Sequence, residues 1–218
     1  ASEGKISVIA DGVDHELFAP LSDLEAIEKI KKKYALPEHY FVFVGNHKRH
    51  KNLRGILEGF SQFLAKTKEP CFLLLVGKTS GLHNLEAVAQ IIEKLPNLKE
   101  YVRMLGFVDI KDLSCLYENA ISLVFPSFYE GFGLPPLEAM RASCPVITSK
   151  AGSLEEVCEK AAYYVDPYDS ASIANGMQNL FEQKDLRKEL IKKGQKHVKK
   201  FLWKETAKSH MELCLLYT

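Results

Sequence analysis

Short, largely apolar runs recur along this chain, each followed by a longer stretch of helical periodicity. Tyr40 to Val44 (Y-F-V-F-V) and Cys71 to Val76 (C-F-L-L-L-V) are continuously apolar. Such runs suit strands covered on both faces, as in a buried parallel sheet. Ile121 to Phe125 is apolar and β-branched, and Ile6 to Ala10, Val102 to Leu105, Pro145 to Thr148 and Ala162 to Val165 are shorter runs of the same kind. Strands that alternate regularly with helices restrict the fold to α/β with a mainly parallel sheet. Ligands in such a sheet sit beyond the C-terminal ends of the strands.

The helices between these runs carry their own signals. Ser22 is expected to cap a helix from Asp23 to Tyr34 with Leu24, Ile27 and Ile30 on one face and Lys31 to Lys33 at its end. Asn52 is expected to cap the next, to about Lys66, with Leu53, Ile56, Leu57, Phe60 and Leu64 as its apolar face. Further helices are expected near Leu85 to Leu95, after an Asp109 cap, near Ser153 to Glu159, Ser170 to Gln183 and Leu186 to Lys199, and from Lys204 to Leu216.

A chain of 218 residues is one large domain or a small two-domain protein. Its 29 basic against 28 acidic residues give no sign of a nucleic-acid surface. Five scattered cysteines, with no C-x-x-C pair, fit packed thiols in a reducing, cytoplasmic setting better than a disulfide framework or a zinc ribbon. No apolar run is long enough to cross a membrane.

The chemistry concentrates in V-F-P-S-F-Y-E-G-F-G-L-P-P-L-E-A-M-R-A, which begins at Val124. It reads as strand, glycine turn and helix, with Pro135 and Pro136 tolerated in the first helical turn because those amides lack intrahelical partners anyway. Gly131 and Gly133 permit close backbone approach to a ligand. The amides of Gly133, Leu134, Leu137 and Glu138 are the expected phosphate donors at this helix start. Glu130 and Glu138, seven residues apart in between, are acceptors suited to paired hydroxyls of a sugar or ribose. Phosphate donors beside hydroxyl acceptors describe a nucleotide-sugar site.

The pattern E-G-F-G-L-P-P-L-E-A-M resembles the retaining glycosyltransferases of the GT-B fold, family four. V-I-A-D-G-V-D, F-V-F-V-G-N-H-K-R-H-K-N-L, L-L-L-V-G-K, V-R-M-L-G-F-V, C-P-V-I-T-S and Y-Y-V-D-P-Y-D follow in that family's order, so the likeness covers nearly the whole chain. It implies a Rossmann-like three-layer sandwich forming the C-terminal, donor-binding half of a GT-B enzyme. The partner it implies is an N-terminal acceptor domain lying outside these residues.

The resemblance also implies roles. Glu138 would hold the donor ribose and Glu130 would lie by the transferred sugar, with Lys51 clamping the diphosphate. The family often has an arginine directly after the strand-end glycine, where Asn46 stands here; Arg49 or Lys48 would supply the missing charge, Arg49 with the better fork geometry. Gly45 would allow close approach to the diphosphate or sugar, and Gly106, Phe107 and Val108 would hold the base. Gly131, Phe132, Gly133 and Leu134 form the turn, and Asp11 to Asp14 resembles an interdomain hinge loop. Ser143 replaces a family glycine. The implied reaction transfers a sugar from a nucleoside diphosphate sugar (GDP, dTDP or UDP) to a hydroxyl with retention, in polysaccharide or glycoconjugate synthesis. No cofactor and no metal are expected, because cations and amides stabilise the leaving group.

Other readings stay open at this stage. A non-hydrolysing nucleotide-sugar epimerase shares the architecture, and a non-catalytic nucleotide-binding module would keep the same site. A glycosidase also pairs two carboxylates but needs no diphosphate cradle. His47 and His50 lack a third metal ligand, Gly77-Lys78-Thr79 lacks the first P-loop glycine at Phe72, and Pro136 stands where a dinucleotide fingerprint needs glycine. The basic helices from Leu186 to Lys200 are compatible with peripheral contact at the inner membrane face, although a solvated face fits them better.

Overall fold

The computed structural model describes residues 6–77 and 82–215. Six strands form one parallel sheet: β1 (Tyr40–Val44), β2 (Phe72–Val76), β3 (Val102–Gly106), β4 (Ser122–Phe125), β5 (Val146–Thr148) and β6 (Tyr163–Tyr164). Their spatial order is β3-β2-β1-β4-β5-β6. The chain therefore runs outward from β1 to β3, returns to the middle at β4 and runs outward again to β6. Tyr40 pairs with Phe72 and Phe41 with Ser122, which places β1 at the centre.

Right-handed crossovers put the helices of the two halves on opposite faces. On one face α2 (Leu53–Leu64) packs against α3 (Leu82–Lys94) and against α7 (Ser170–Glu182), which returns from β6. On the other, α4 (Ile110–Glu118), α5 (Leu134–Arg141), α6 (Leu154–Cys158) and α8 (Lys184–His197) pack together around α5. Two further helices, α1 (Leu24–Lys33) and α9 (Trp203–Leu215), complete the described chain. This is the Rossmann-like three-layer arrangement expected.

The apolar runs became the core. Tyr40, Phe41, Val42, Phe43, Leu73, Leu74, Leu123, Val124 and Phe125 have no exposed surface. From α2, Ile56, Leu57, Phe60 and Phe63 are equally buried, with Phe41 edge-on to both phenylalanines. Each such side chain contributes about 1.5–3 kcal/mol by leaving water. Gly59 lets α2 and α7 close up, since a Cβ there would stand 2.9 Å from Ile173 Cγ2.

Several boundaries differ from expectation. Ile6 to Ala10 forms no strand: it finds no sheet partner and leaves Ile6 and Val8 exposed. It is held instead through Ala10, whose carbonyl accepts from the Thr206 hydroxyl at 2.8 Å. Asp23, not Ser22, caps α1, its carboxylate accepting from the amides of Glu25 and Ala26. The helix expected at Leu85 begins at Leu82, and the last begins at Trp203. Lys78 and Thr79 of the P-loop decoy lie outside the described residues.

Candidate functional site

The gap between β1 and β4 is where the strand order reverses, and the crevice beyond the strand ends there is the expected ligand position. Four loops meet at it. Gly45 ends β1, Gly106 ends β3, Pro126 to Gly133 follow β4, and Ser149 to Ser153 follow β5. Gly77, after β2, is pressed so close that a Cβ on it would stand 2.0 Å from the Gly45 carbonyl oxygen.

The structure brings Lys51 and Glu130 together. Lys51 closes a short 3₁₀ turn, Arg49–Lys51, and its Nζ donates to Glu130 Oε2 at 2.9 Å while lying 2.8 Å from Oε1. The ammonium also lies 4.7 Å from the centre of the Phe125 ring, a cation–π contact at the strand end. The two side chains are only 13% and 10% exposed. Glu130 Oε1 is buried, with the Lys51 ammonium at 2.8 Å as its ion-pair partner. A carboxylate held in an ion pair still has spare lone pairs that a sugar hydroxyl can fill.

The following turn supplies donors, although not the set expected. Helix α5 begins at Leu134, so the amides of Leu137 and Glu138 fall inside the helical ladder. In exchange, the consecutive amides of Gly131, Phe132, Gly133 and Leu134 have no hydrogen-bond acceptor among the described residues. Gly133 caps the helix at φ 114°. A run of free amides ending in a helix start offers donors suited to an anion.

Glu138 lies one turn into α5. Its Oε2 accepts from the hydroxyl of Tyr117 at 3.1 Å. Burial pushes its carboxyl up to about 6, the tyrosine hydrogen bond opposing that rise. At the β3 end Gly106 has φ 67° with open space around it, Phe107 is 71% exposed and Val108 is buried. Asn46 is half-buried, with Oδ1 unpartnered among the described residues.

Arg49 and Lys48 are exposed. They line a separate cavity of about 720 Å³, together with Asn52, Phe128 and Tyr168, which neither Glu130 nor Glu138 reaches. His47 is buried, with neither ring nitrogen partnered among the described residues. No three His, Cys, Asp or Glu side chains cluster as a metal site among the described residues.

Sequence patterns did not single out the residues that hold the loops. Asn52, at φ 56°, accepts from the Gly55 amide and donates to the carbonyls of Pro126 (3.1 Å) and Pro167 (2.7 Å), joining the β1, β4 and β6 loops. Ser153 donates to the carbonyls of Glu130 (3.1 Å) and Phe132 (2.7 Å). Gly152 passes so near that a Cβ would stand 2.5 Å from the Glu130 carbonyl oxygen. Only the cap role of Asn52 carried a sequence signal.

The chain is 31% identical over 186 residues to the O-antigen chain mannosyltransferase B of Escherichia coli, covering 85% of this chain and 48% of the relative. It is 32% identical over 181 residues to the O-antigen chain mannosyltransferase RfbU of Salmonella typhimurium, covering 83% and 46%. It thus spans about half the length of these curated relatives. Among solved structures, the C-terminal domain of a glycosyl transferase group 1 family protein (LpcC) from Francisella tularensis superposes with a TM-score of 0.75 at 25% identity, covering 87% of this chain and 97% of that one. The Anabaena protein HepE in complex with UDP and glucose shares the fold at 20% identity, with a TM-score of 0.84 over 95% of this chain and 56% of that one. Residues 26–197, the sheet and nearly every loop just described, match the family of glycosyl transferases group 1, and the chain belongs to that family.

Proposed function

We propose that this chain is the donor-binding domain of a retaining glycosyltransferase that moves a sugar from a nucleoside diphosphate sugar to a hydroxyl acceptor. The observation that carries the reading is the buried Lys51–Glu130 pair, followed in the chain by four free amides. In this reading the diphosphate takes the Lys51 ammonium and the amides of Gly131 to Leu134, and Glu130 turns to the hydroxyls of the sugar. Glu138 accepts from the ribose, and Gly106 to Val108 receive the base. The bond from the anomeric carbon to the phosphate oxygen breaks, and the acceptor oxygen bonds to that carbon on the same face. The acceptor proton ends on the leaving phosphate or on a base from the other half. Lys51 and the amides offset the charge that develops on the leaving group, so no metal is assigned a role.

Mannosyltransferase relatives favour mannose as the sugar; GDP is its carrier in this reading, while the UDP held by HepE keeps a uridine donor in view. The same O-antigen relatives favour polysaccharide or glycoconjugate synthesis. Among the described residues no helix is long and apolar enough to cross a membrane. The acceptor domain is assigned to another part of the same enzyme, of whose curated relatives this chain spans about half the length. Family membership speaks against the epimerase reading.

Calorimetric titration with GDP, UDP and dTDP tests the proposal, with Lys51→Ala and Glu138→Ala alongside. One nucleotide should bind best, and both substitutions should weaken it at least tenfold. Binding that neither substitution changes would remove the site from this crevice.

A further inference from the structure

The Tyr117 hydroxyl is a buried donor whose choice of acceptor is informative. Tyr117 has no exposed surface, so its hydroxyl must find a partner inside the protein. Tyr40, as deeply buried, uses a backbone carbonyl, that of Leu116, at 2.8 Å. Tyr117 instead reaches from α4 across to α5 and donates to a carboxylate, Glu138 Oε2. The other oxygen, Oε1, has no hydrogen-bond partner among the described residues and is not enclosed. Tyr117 is itself held. Its ring packs 6.4 Å from that of Phe18, and α4 is tied to the preceding loop, Ser114 donating to the Ala19 carbonyl and Glu118 accepting from the Leu21 amide.

From this arrangement we infer that Tyr117 is a positioning residue for the donor: it fixes one oxygen of Glu138 inside the protein and turns the other toward the hydroxyls of the bound nucleotide. The inference rests on the donor-site reading of Glu138 proposed above. Two consequences distinguish positioning from simple packing. The carboxylate loses rotamer freedom before the ligand arrives, so affinity gains what ordering would otherwise cost. The hydrogen bond also keeps Glu138 ionised further down the pH scale than its burial alone would allow.

Few other groups bear on this titration. Cys144, buried near the Tyr117 hydroxyl, has its thiol pushed up by burial and stays protonated. Arg141 on α5 makes no ion pair with Glu138, and neither do α6 and α8, among the described residues. Removing the hydroxyl should therefore move the Glu138 carboxyl above about 6. A carboxylate is needed to accept ribose hydroxyls, so affinity falls as pH falls through this value. The loss should begin at higher pH in the variant.

The test compares the wild-type chain with Tyr117→Phe, Glu138→Ala and the double variant, titrated with GDP and with UDP between pH 5 and 8. Urea unfolding of each variant reports folding. Tyr117→Phe should weaken the better nucleotide about tenfold at pH 7, the worth of one lost charge-assisted hydrogen bond, and move the affinity loss upward in pH. Added to Glu138→Ala it should cost nothing more. If Glu138→Ala weakens binding but Tyr117→Phe leaves affinity and its pH profile unchanged, the positioning role is overturned and the donor site stands. If Glu138→Ala itself binds as the wild type does, both fall. An affinity loss in Tyr117→Phe without a pH shift, persisting on the Glu138→Ala background, would mean packing only and would also overturn the role.

Discussion

At the scale of single residues, the site is a set of charges placed where burial makes them expensive unless paired. Lys51 and Glu130 each stabilise the other in a nearly enclosed setting, so removing either leaves a lone charge with little water. Lys51→Met or Glu130→Gln should each cost about 3 kcal/mol in urea unfolding, and the double variant clearly less than the sum. Additive losses would mean that the pair is incidental. Glu138 makes a second prediction. Its folded-state carboxyl sits at about 6, above the unfolded value near 4.5, so the native state binds the proton more tightly. That contribution is complete below about 4.5 and is lost as pH rises to about 6, at a cost of roughly 2 kcal/mol. Glu138→Gln should remove this slope from unfolding curves taken across that window. Both glutamates stood out in the sequence because their spacing belongs to one strand–turn–helix unit, and Lys51 because it resembles the family's lysine before asparagine. Ser153 and Gly152 did not, because their work on Glu130 depends on β5 lying beside β4, a contact across more than twenty residues.

The same contrast holds for elements. The alternation of strands and helices was readable because each buried strand is apolar whatever its neighbours. Ile6 to Ala10 has the composition of a strand but no sheet edge beside it, and a strand needs a partner as well as apolar side chains. Ser22 and Asp23 are both competent caps, and the backbone turns helical directly after the aspartate, at Leu24. The turn between β4 and α5 was recognised, but its donors shifted toward its N-terminal side because the helix begins at Leu134. Two glycines in that turn give a discriminating pair of substitutions. A Cβ at Gly133 would meet Leu154 Cδ2 at 2.8 Å in a left-handed backbone, so Gly133→Ala should cost about 2 kcal/mol of stability together with nucleotide affinity. A Cβ at Gly131 meets nothing within 4 Å in the free protein. Gly131→Ala should therefore fold as the wild type and lose affinity only if the ligand comes up against this backbone. Calorimetry on both variants, with melting curves, separates the shape of the turn from its approach to the donor.

For the whole molecule, the two ends of the described chain are fastened to each other rather than to the sheet. The Val13 amide donates to the Phe201 carbonyl at 3.1 Å, His15 Nε2 lies 3.1 Å from the same oxygen, and Thr206 donates to the Ala10 carbonyl. Gly12 passes so tightly that a Cβ would stand 2.3 Å from the Trp203 nitrogen. Among the described residues of α9 only Thr206 is buried, so that helix has little apolar area of its own to hold it. Its attachment depends on this clasp, and the clasp depends on a residue without a side chain. Gly12→Ala should therefore release α9 while leaving the sheet intact. Hydrogen exchange would show protection lost across Trp203–Leu215 and kept in β1, β2 and β4, because those strands are buried by α2, α5 and α7 and owe nothing to the chain ends. Equal protection of α9 in the variant and the wild type would show that the helix docks by its own contacts, and the exposed Trp203 and Met211 would then have to be counted among them.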